Sequence, residues 1–257
     1  MNSTVTDNRL VLWLMQLAPA VVIVAIWQAS ILFAPRFDFT VGSPLGIARE
    51  LWGPAGGIRF ASDIAITAIE TILGFLSGTV IGTFIGLLLW VSKTAFAIAR
   101  PYLIALGAVP AFALGPVLIF WFGTDIWSKV ALAFLSTFII AIVQAYTGAG
   151  ETDPSLMRLL HAFGATRKQI FTKIVAPSAA IWVLAGIRLN IGMALLGAFV
   201  GEFISSRAGL GHMIILAEGL YNVNQIWLGV CGLMAIAISF HACTMPIERW
   251  ANRWKNS

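Results

Sequence analysis

The chain is short of charge. Only 11% of its 257 residues are Asp, Glu, Lys or Arg, while 59% are hydrophobic; a soluble domain carries about 25% charged residues. So few ions cannot cover a water-facing surface, which excludes a soluble globular domain and leaves a polytopic membrane protein. Acid is scarcer than base, 11 residues against 16, for a net charge of +5. A nucleic-acid binder would gather that charge on one solvated face, whereas a membrane protein sorts it into cytoplasmic loops. Cysteine is nearly missing. Cys231 and Cys243 share one apolar run without CxxC spacing and read as small buried hydrophobes. There is no GxxxxGK[ST] loop to cradle a nucleotide, no GxSxG and no HExxH, and His161, His212 and His241 lack metal-ligand spacing, so neither catalytic nor metal residues are expected. A TVGYG-like filter and paired interrupted segments are also missing. Hydropathy alone still leaves a channel or secondary transporter open.

What is present is a set of six apolar runs, near 11–34, 65–91, 102–122, 129–147, 179–200 and 225–246, each close to the roughly 20 residues a span needs. The expected fold is all-α, a bundle of about six spans. Pro110 and Pro116 interrupt the third run, and irregular backbone at that depth must be enclosed by protein or line a path. The first run is too long for the apolar core of a cleaved leader. With the N-terminus inside, the cytoplasmic side receives Arg9, Lys93, Arg100, Arg158, Arg167, Lys168, Lys173, Arg249, Arg253 and Lys255. The outside receives Arg36, Arg49, Arg59, Lys129 and Arg207, and Arg188 falls in a span. This bias predicts both termini in the cytoplasm. The expected organisation is an N-terminal span with an external amphipathic segment over 1–64, a transmembrane domain over 65–247 and a cytoplasmic tail over 248–257. Trp13, Trp121, Trp127 and Trp250 fall near proposed interfaces, as aromatic belts do. Gly74, Gly78, Gly82 and Gly86 recur every four residues and make a smooth helix face for close approach, either within one subunit or at a seam between subunits.

The stretch from Asp153 to Pro177 differs from its apolar surroundings. Asp153-Pro154 starts a helix. Leu156, Leu159, Leu160 and Phe163 then form an apolar stripe, and Gly164 stands where a left-handed stop belongs. Thr166 to Gln169 is a capping box that restarts a helix, with Ile170, Phe171, Ile174 and Val175 as its apolar face. A cationic helix-turn-helix of this kind suits an anionic lipid surface or a protein partner. Neighbouring spans hold it at the membrane, so DNA is not an expected partner.

Gly164, nine residues, then Ile174-Val175-Ala176-Pro177 resembles the EAA-x3-G-x9-I-x-L-P loop of ABC importer permeases. Arg158, Leu159 and Leu160 stand where Glu-Ala-Ala would be, and Ala176 replaces Leu. "ALGAVPAFALGPVLIFWFGTDIWSKV", "FGATRKQIF", "AGIRLNIGMALLGAFVGEFISSRAGLGHMI" and "ERWANRW" are similar to the nitrate/sulfonate/taurine/bicarbonate branch, over about residues 41–254. The resemblance implies a type I importer subunit of the bacterial inner membrane. Its coupling loop, about 148–177, would dock on a separate ATPase through Arg158, Leu159, Leu160, His161, Phe163, Gly164, Ala165, Thr166 and Arg167. It further implies a homodimer, an ATPase dimer that holds the ATP and Mg, no cofactor on this chain, and an external binding protein. The implied solute is a small anion such as a sulfonate, taurine, nitrate or bicarbonate, with small aromatic carboxylates and pyrimidine vitamin precursors as alternatives.

Three polar residues near the fifth run are candidates for the translocation path or gate. Arg188 and Asn190 stand at its start, where Arg188 either snorkels to the interface or faces the path. Glu202 follows its end and either pairs with Arg207 or meets the binding protein or the solute mouth. Gly209 to Ile214, "GLGHMI", suggests a tight turn and a short re-entrant segment.

Overall fold

The computed structural model describes the backbone of residues 9–53 and 56–255. Its helices are α1 (Arg9–Phe33), α2 (Asp38–Val41), α3 (Pro44–Trp52), α4 (Gly56–Val91), α5 (Lys93–Ala108), α6 (Gly115–Phe122), α7 (Ile126–Gly150), α8 (Pro154–Ala162), α9 (Arg167–Ile170), α10 (Ala176–Ala185), α11 (Ile187–Ile204), α12 (Leu210–Gly219) and α13 (Val223–Lys255). The described residues contain no strand. Among the described residues, four helices are long and apolar enough to cross a bilayer, within 56–91, 126–150, 187–204 and 223–246. Two bent pairs, at 17–41 and 93–122, bring the number to six if each is one span; they turn by 114° and 86°.

The spans expected at 102–122 and 179–200 are therefore not single helices. The first breaks at Val109-Pro110, because proline restricts the residue before it to extended backbone. The second breaks at Gly186, which ends α10 and opens α11. Trp121 and Trp127 are exposed, at 69% and 61%, as interface aromatics are. The side chains of Trp13, Trp250, Arg9, Arg249, Arg253 and Lys255 lie outside the described residues.

Two compact units are present. Residues 1–61 and 213–231 form one, and 62–212 with 232–257 form the other. In the smaller unit the segment after α1 is pinned by polar contacts. Trp27 Nε1 donates to Gly42 O at 3.0 Å, and Trp227 Nε1 donates to Val41 O at 2.9 Å. Asn224 Oδ1 accepts from Ser43 N–H at 2.8 Å. Ser43 caps α3 by accepting from Gly46 N–H, and Pro44 takes the first turn, where its missing N–H costs nothing. Gly42, with φ +72°, makes the turn that brings these partners together.

The larger unit is organised around α7. Leu132, Ala133, Ala141, Ala145 and Ala149 are buried along it. The glycine stripe of α4 lies on a matching stripe of α7. A Cβ on Gly78 would come 2.7 Å from Phe134 O, and one on Gly82 would come 2.8 Å from the Ala141 Cβ. Only hydrogen fits at either position, so the glycine face packs within this one chain. On another side of α7, a Cβ on Gly197 would meet Ala133 Cα at 2.8 Å.

Candidate functional site

The first candidate region is the hairpin between α7 and α10. Asp153 Oδ1 accepts from Ser155 N–H at 2.7 Å and caps α8. The helix ends in a Schellman turn: Gly164 N–H donates to His161 O and Ala165 N–H to Leu160 O, at 3.0 and 2.9 Å. Gly164 has φ +77°, a conformation that costs a residue with a Cβ about 1–2 kcal/mol. The restart is a full capping box. Thr166 Oγ1 accepts from Gln169 N–H, and Gln169 Oε1 accepts from Thr166 N–H at 2.7 Å. After α9 the helix loosens into a π turn, Phe171–Val175, just before Pro177, which has no N–H for the carbonyl four residues back.

Ile170 and Val175 are buried with Ala149 and Ala179, and Leu87, Trp90, Met157, Leu160, Ala165 and Phe171 pack around them. The apolar stripe of α8 divides. Leu160 faces this cluster, whereas Leu156, Leu159 and Phe163 are exposed at 41%, 51% and 78%. Arg158, His161, Thr166 and Arg167 are exposed as well. The hairpin is thus anchored on one side and presents apolar and cationic groups on the other.

The second region surrounds Glu202. This residue is fully buried. Its Oε1 accepts from the Thr67 hydroxyl at 2.6 Å and its Oε2 from Gly211 N–H at 2.6 Å. Leu210 N–H donates to Thr67 Oγ1, and Gly209 N–H donates to Asp63 Oδ1, both at 2.9 Å. Two carboxylates and a hydroxyl therefore serve the free N–H groups at the start of α12, where negative charge is favoured. Gly209 has φ +102°, and a Cβ there would strike the Glu202 carboxylate. The turn expected at Gly209 is present, followed by the ten-residue apolar helix α12. Arg207 is exposed, and the hydrogen bonds described for Glu202 go to Thr67 and Gly211 instead.

Two further ions were missed as site residues. Lys129, one of the cations assigned to the outer side, is fully buried. It sits in the first turn of α7, and its Nζ donates to Asp125 O at 3.0 Å and to Thr124 O. Glu70, 2% exposed, lies beside Glu202 and Lys129. The sequence signal was Thr67, Glu70 and Thr71 on one face of an apolar helix, since polar groups in a span rarely face lipid.

Near the start of α11, Asn190 is buried and donates to Gln144 Oε1 at 3.1 Å. Arg188 is exposed on a cavity of about 120 Å³ that it shares with His241 and Thr244. The structure does not bring Arg188 or Asn190 to Glu202, which stands at the opposite end of the same helix.

Residues 78–254 match the family described as binding-protein-dependent transport system inner membrane component. The chain is an ABC importer permease of this family. It is 30% identical to the putative aliphatic sulfonates transport permease of Bacillus subtilis, over 95% of this permease and 89% of the relative. It is 31% identical to the formylaminopyrimidine transport permease of Halalkalibacterium halodurans, over 91% and 92%. An inward-facing methionine ABC transporter shares its fold with a TM-score of 0.69 at 15% identity, over 77% of this permease and 99% of that chain. The permease is accordingly a multi-pass membrane protein of a non-catalytic family.

Proposed function

We propose that this permease carries a small anion into the cell, and that its 154–175 hairpin is the docking element for a separate ATPase. The observation that carries this reading is the free side of the hairpin. Phe163 projects from the Gly164 turn at 78% exposure, Arg158, Arg167 and Lys168 are exposed on the same hairpin, and there is no acidic residue between Pro154 and Val175. ATP and Mg belong to the partner. Closure of the ATPase dimer would displace the hairpin, and Ile170 and Val175, buried against Ala149 and Ala179, would pass the displacement to α7 and α10. Two copies of the permease would enclose the path, open alternately to each side, and receive solute from an external binding protein. The hairpin and both termini face the cytoplasm of a bacterial inner membrane in this scheme.

A sulfonate or taurine is the solute class supported by the Bacillus relative; nitrate and bicarbonate complete the anionic set. The formylaminopyrimidine relative supports a second reading, a pyrimidine vitamin precursor. Arg188 is assigned to the path, and Asn190, buried against Gln144, to holding α11 on α7 beside it. Glu202 is assigned to holding α12, which shapes the gate without touching solute.

The test is Gly164→Val. A Cβ at Gly164 meets nothing within 4 Å, so only the positive φ opposes the change, and the spans are expected to insert normally. Co-purification of the ATPase and coupled transport in proteoliposomes are expected to fall at least tenfold. Wild-type docking with wild-type coupled transport would refute the hairpin's role and favour a lipid-surface element. Calorimetric screening of the partner binding protein with taurine, an alkylsulfonate, nitrate and formylaminopyrimidine decides among the solutes.

A further inference from the structure

In the larger unit a cavity of about 440 Å³ lies between α5 and α7, at the end of α7 that leads into the hairpin. Its size falls in the range of small-molecule sites. One end is walled by Phe96 stacked on Tyr146, with centroids 3.6 Å apart and planes 8° from parallel. Arg100 stands one turn further along α5 and is the only charged residue of the lining. Beyond it the walls are aliphatic, formed by residues such as Leu103, Ile139 and Val143. Gly107 lines the far end, where the cavity is open, and a Cβ there would sit at an ordinary 3.7 Å from Ile139.

This is a polarised cavity, a guanidinium near one end and hydrocarbon toward the other. A guanidinium fork matches a carboxylate or sulfonate in shape and charge. Each methylene buried on the aliphatic walls adds about fourfold in affinity. Nitrate or bicarbonate has no carbon body to bury there and gains nothing from those walls. We propose that this cavity binds an amphiphilic organic anion, its acid group at Arg100 and its carbon body between α5 and α7. The proposal rests on the anion-importer reading above and narrows it, from small anions in general to organic acids with an apolar body. An anionic phospholipid presents the same chemistry as such a solute, so the test must separate the two.

The permease, assembled with its ATPase in phosphatidylcholine nanodiscs, is titrated by calorimetry with octanesulfonate, ethanesulfonate and nitrate. No binding protein is added, and empty discs serve as the blank. Saturable octanesulfonate binding is expected, at least tenfold tighter than ethanesulfonate, with no competition from nitrate. Arg100→Gln is expected to weaken octanesulfonate about tenfold, as loss of a charged hydrogen-bond partner does. Gly107→Leu, which fills the far end, is expected to weaken octanesulfonate and spare ethanesulfonate. Equal octanesulfonate binding by Arg100→Gln, or displacement by nitrate, overturns the proposal. In discs containing phosphatidylglycerol, octanesulfonate is expected still to bind. Arg100-dependent retention of phosphatidylglycerol without any octanesulfonate binding would make this a lipid site and overturn the solute assignment. ATPase co-purification with Arg100→Gln is expected to match wild type, so failure here leaves the docking assignment of the hairpin standing.

Discussion

The hairpin and the end of α11 around Glu202 are both rich in polar side chains, and they use them in opposite ways. At Glu202 the carboxylate, the Thr67 hydroxyl and the buried Lys129 turn inward and engage backbone N–H and C=O groups of the same chain. In the hairpin the local caps are made by Asp153, Thr166 and Gln169, which leaves Arg158, His161, Arg167 and Lys168 exposed. Charge that is fully engaged holds helices in place; charge that is exposed on an anchored element is available to a partner. The same residue types thus build a joint at one place and a contact surface at the other.

Substitutions can break or sharpen this contrast. The largest effect is expected from Glu202→Ala. It leaves the buried Gly211 N–H without its acceptor and takes one of the two acceptors from the Thr67 hydroxyl, which keeps Asp63 O. A buried donor left without its acceptor costs about 1–3 kcal/mol, and the emptied side-chain volume adds to that. The thermal midpoint of the purified permease should fall steeply, or the protein should not accumulate. A midpoint within a degree or so of wild type would mean that Glu202 is not holding α12.

A smaller loss is expected from Thr166→Ala, which removes one half of an exposed capping box and costs about 1 kcal/mol. Here the readout separates the regions: the thermal midpoint should move little, while ATPase association measured by pull-down weakens. The smallest effect on stability belongs to Arg167→Ala, within about 0.5 kcal/mol as for most surface changes. Its midpoint should be unchanged and its ATPase association more salt-sensitive than wild type. If Arg167→Ala instead lowered the midpoint as far as Glu202→Ala, the distinction between joint and contact surface would fail.

The two regions were not equally legible. Every contact that shapes the hairpin turn joins residues two to five apart, Asp153 to Ser155, Thr166 to Gln169 and Leu160 to Ala165, and short-range motifs of this kind can be read from residue order. Thr67 and Glu202 are 135 positions apart, and nothing in either neighbourhood names the other. The burial of Lys129 was hidden for a related reason. Sorting cations by the loops between apolar runs treats each as solvated, yet Lys129 starts a helix and folds back on two carbonyls. The α4 glycine period was visible, but its partner, the alanine-rich face of α7, became evident only once both helices were in place. Arg100 counted as one more inward cation until the cavity beside Tyr146 gave it surroundings.

The glycine face of α4 has a mechanical consequence. Where two helices touch through side chains, small sliding is absorbed by rotamer changes. Gly78 and Gly82 offer no side chain to yield, and they rest against Phe134 O, Phe138 O and the Ala141 methyl. The two stripes mesh like a rack with a tooth every four residues, about 6 Å along the axis. A shift by a fraction of that tooth drives backbone into carbonyl oxygen, so the pair has a detent rather than a glide. A displacement of α7 at its hairpin end therefore moves α4 with it rather than past it, while Pro110 and Gly186 are points within the larger unit where the chain has no such meshed contact to bend against.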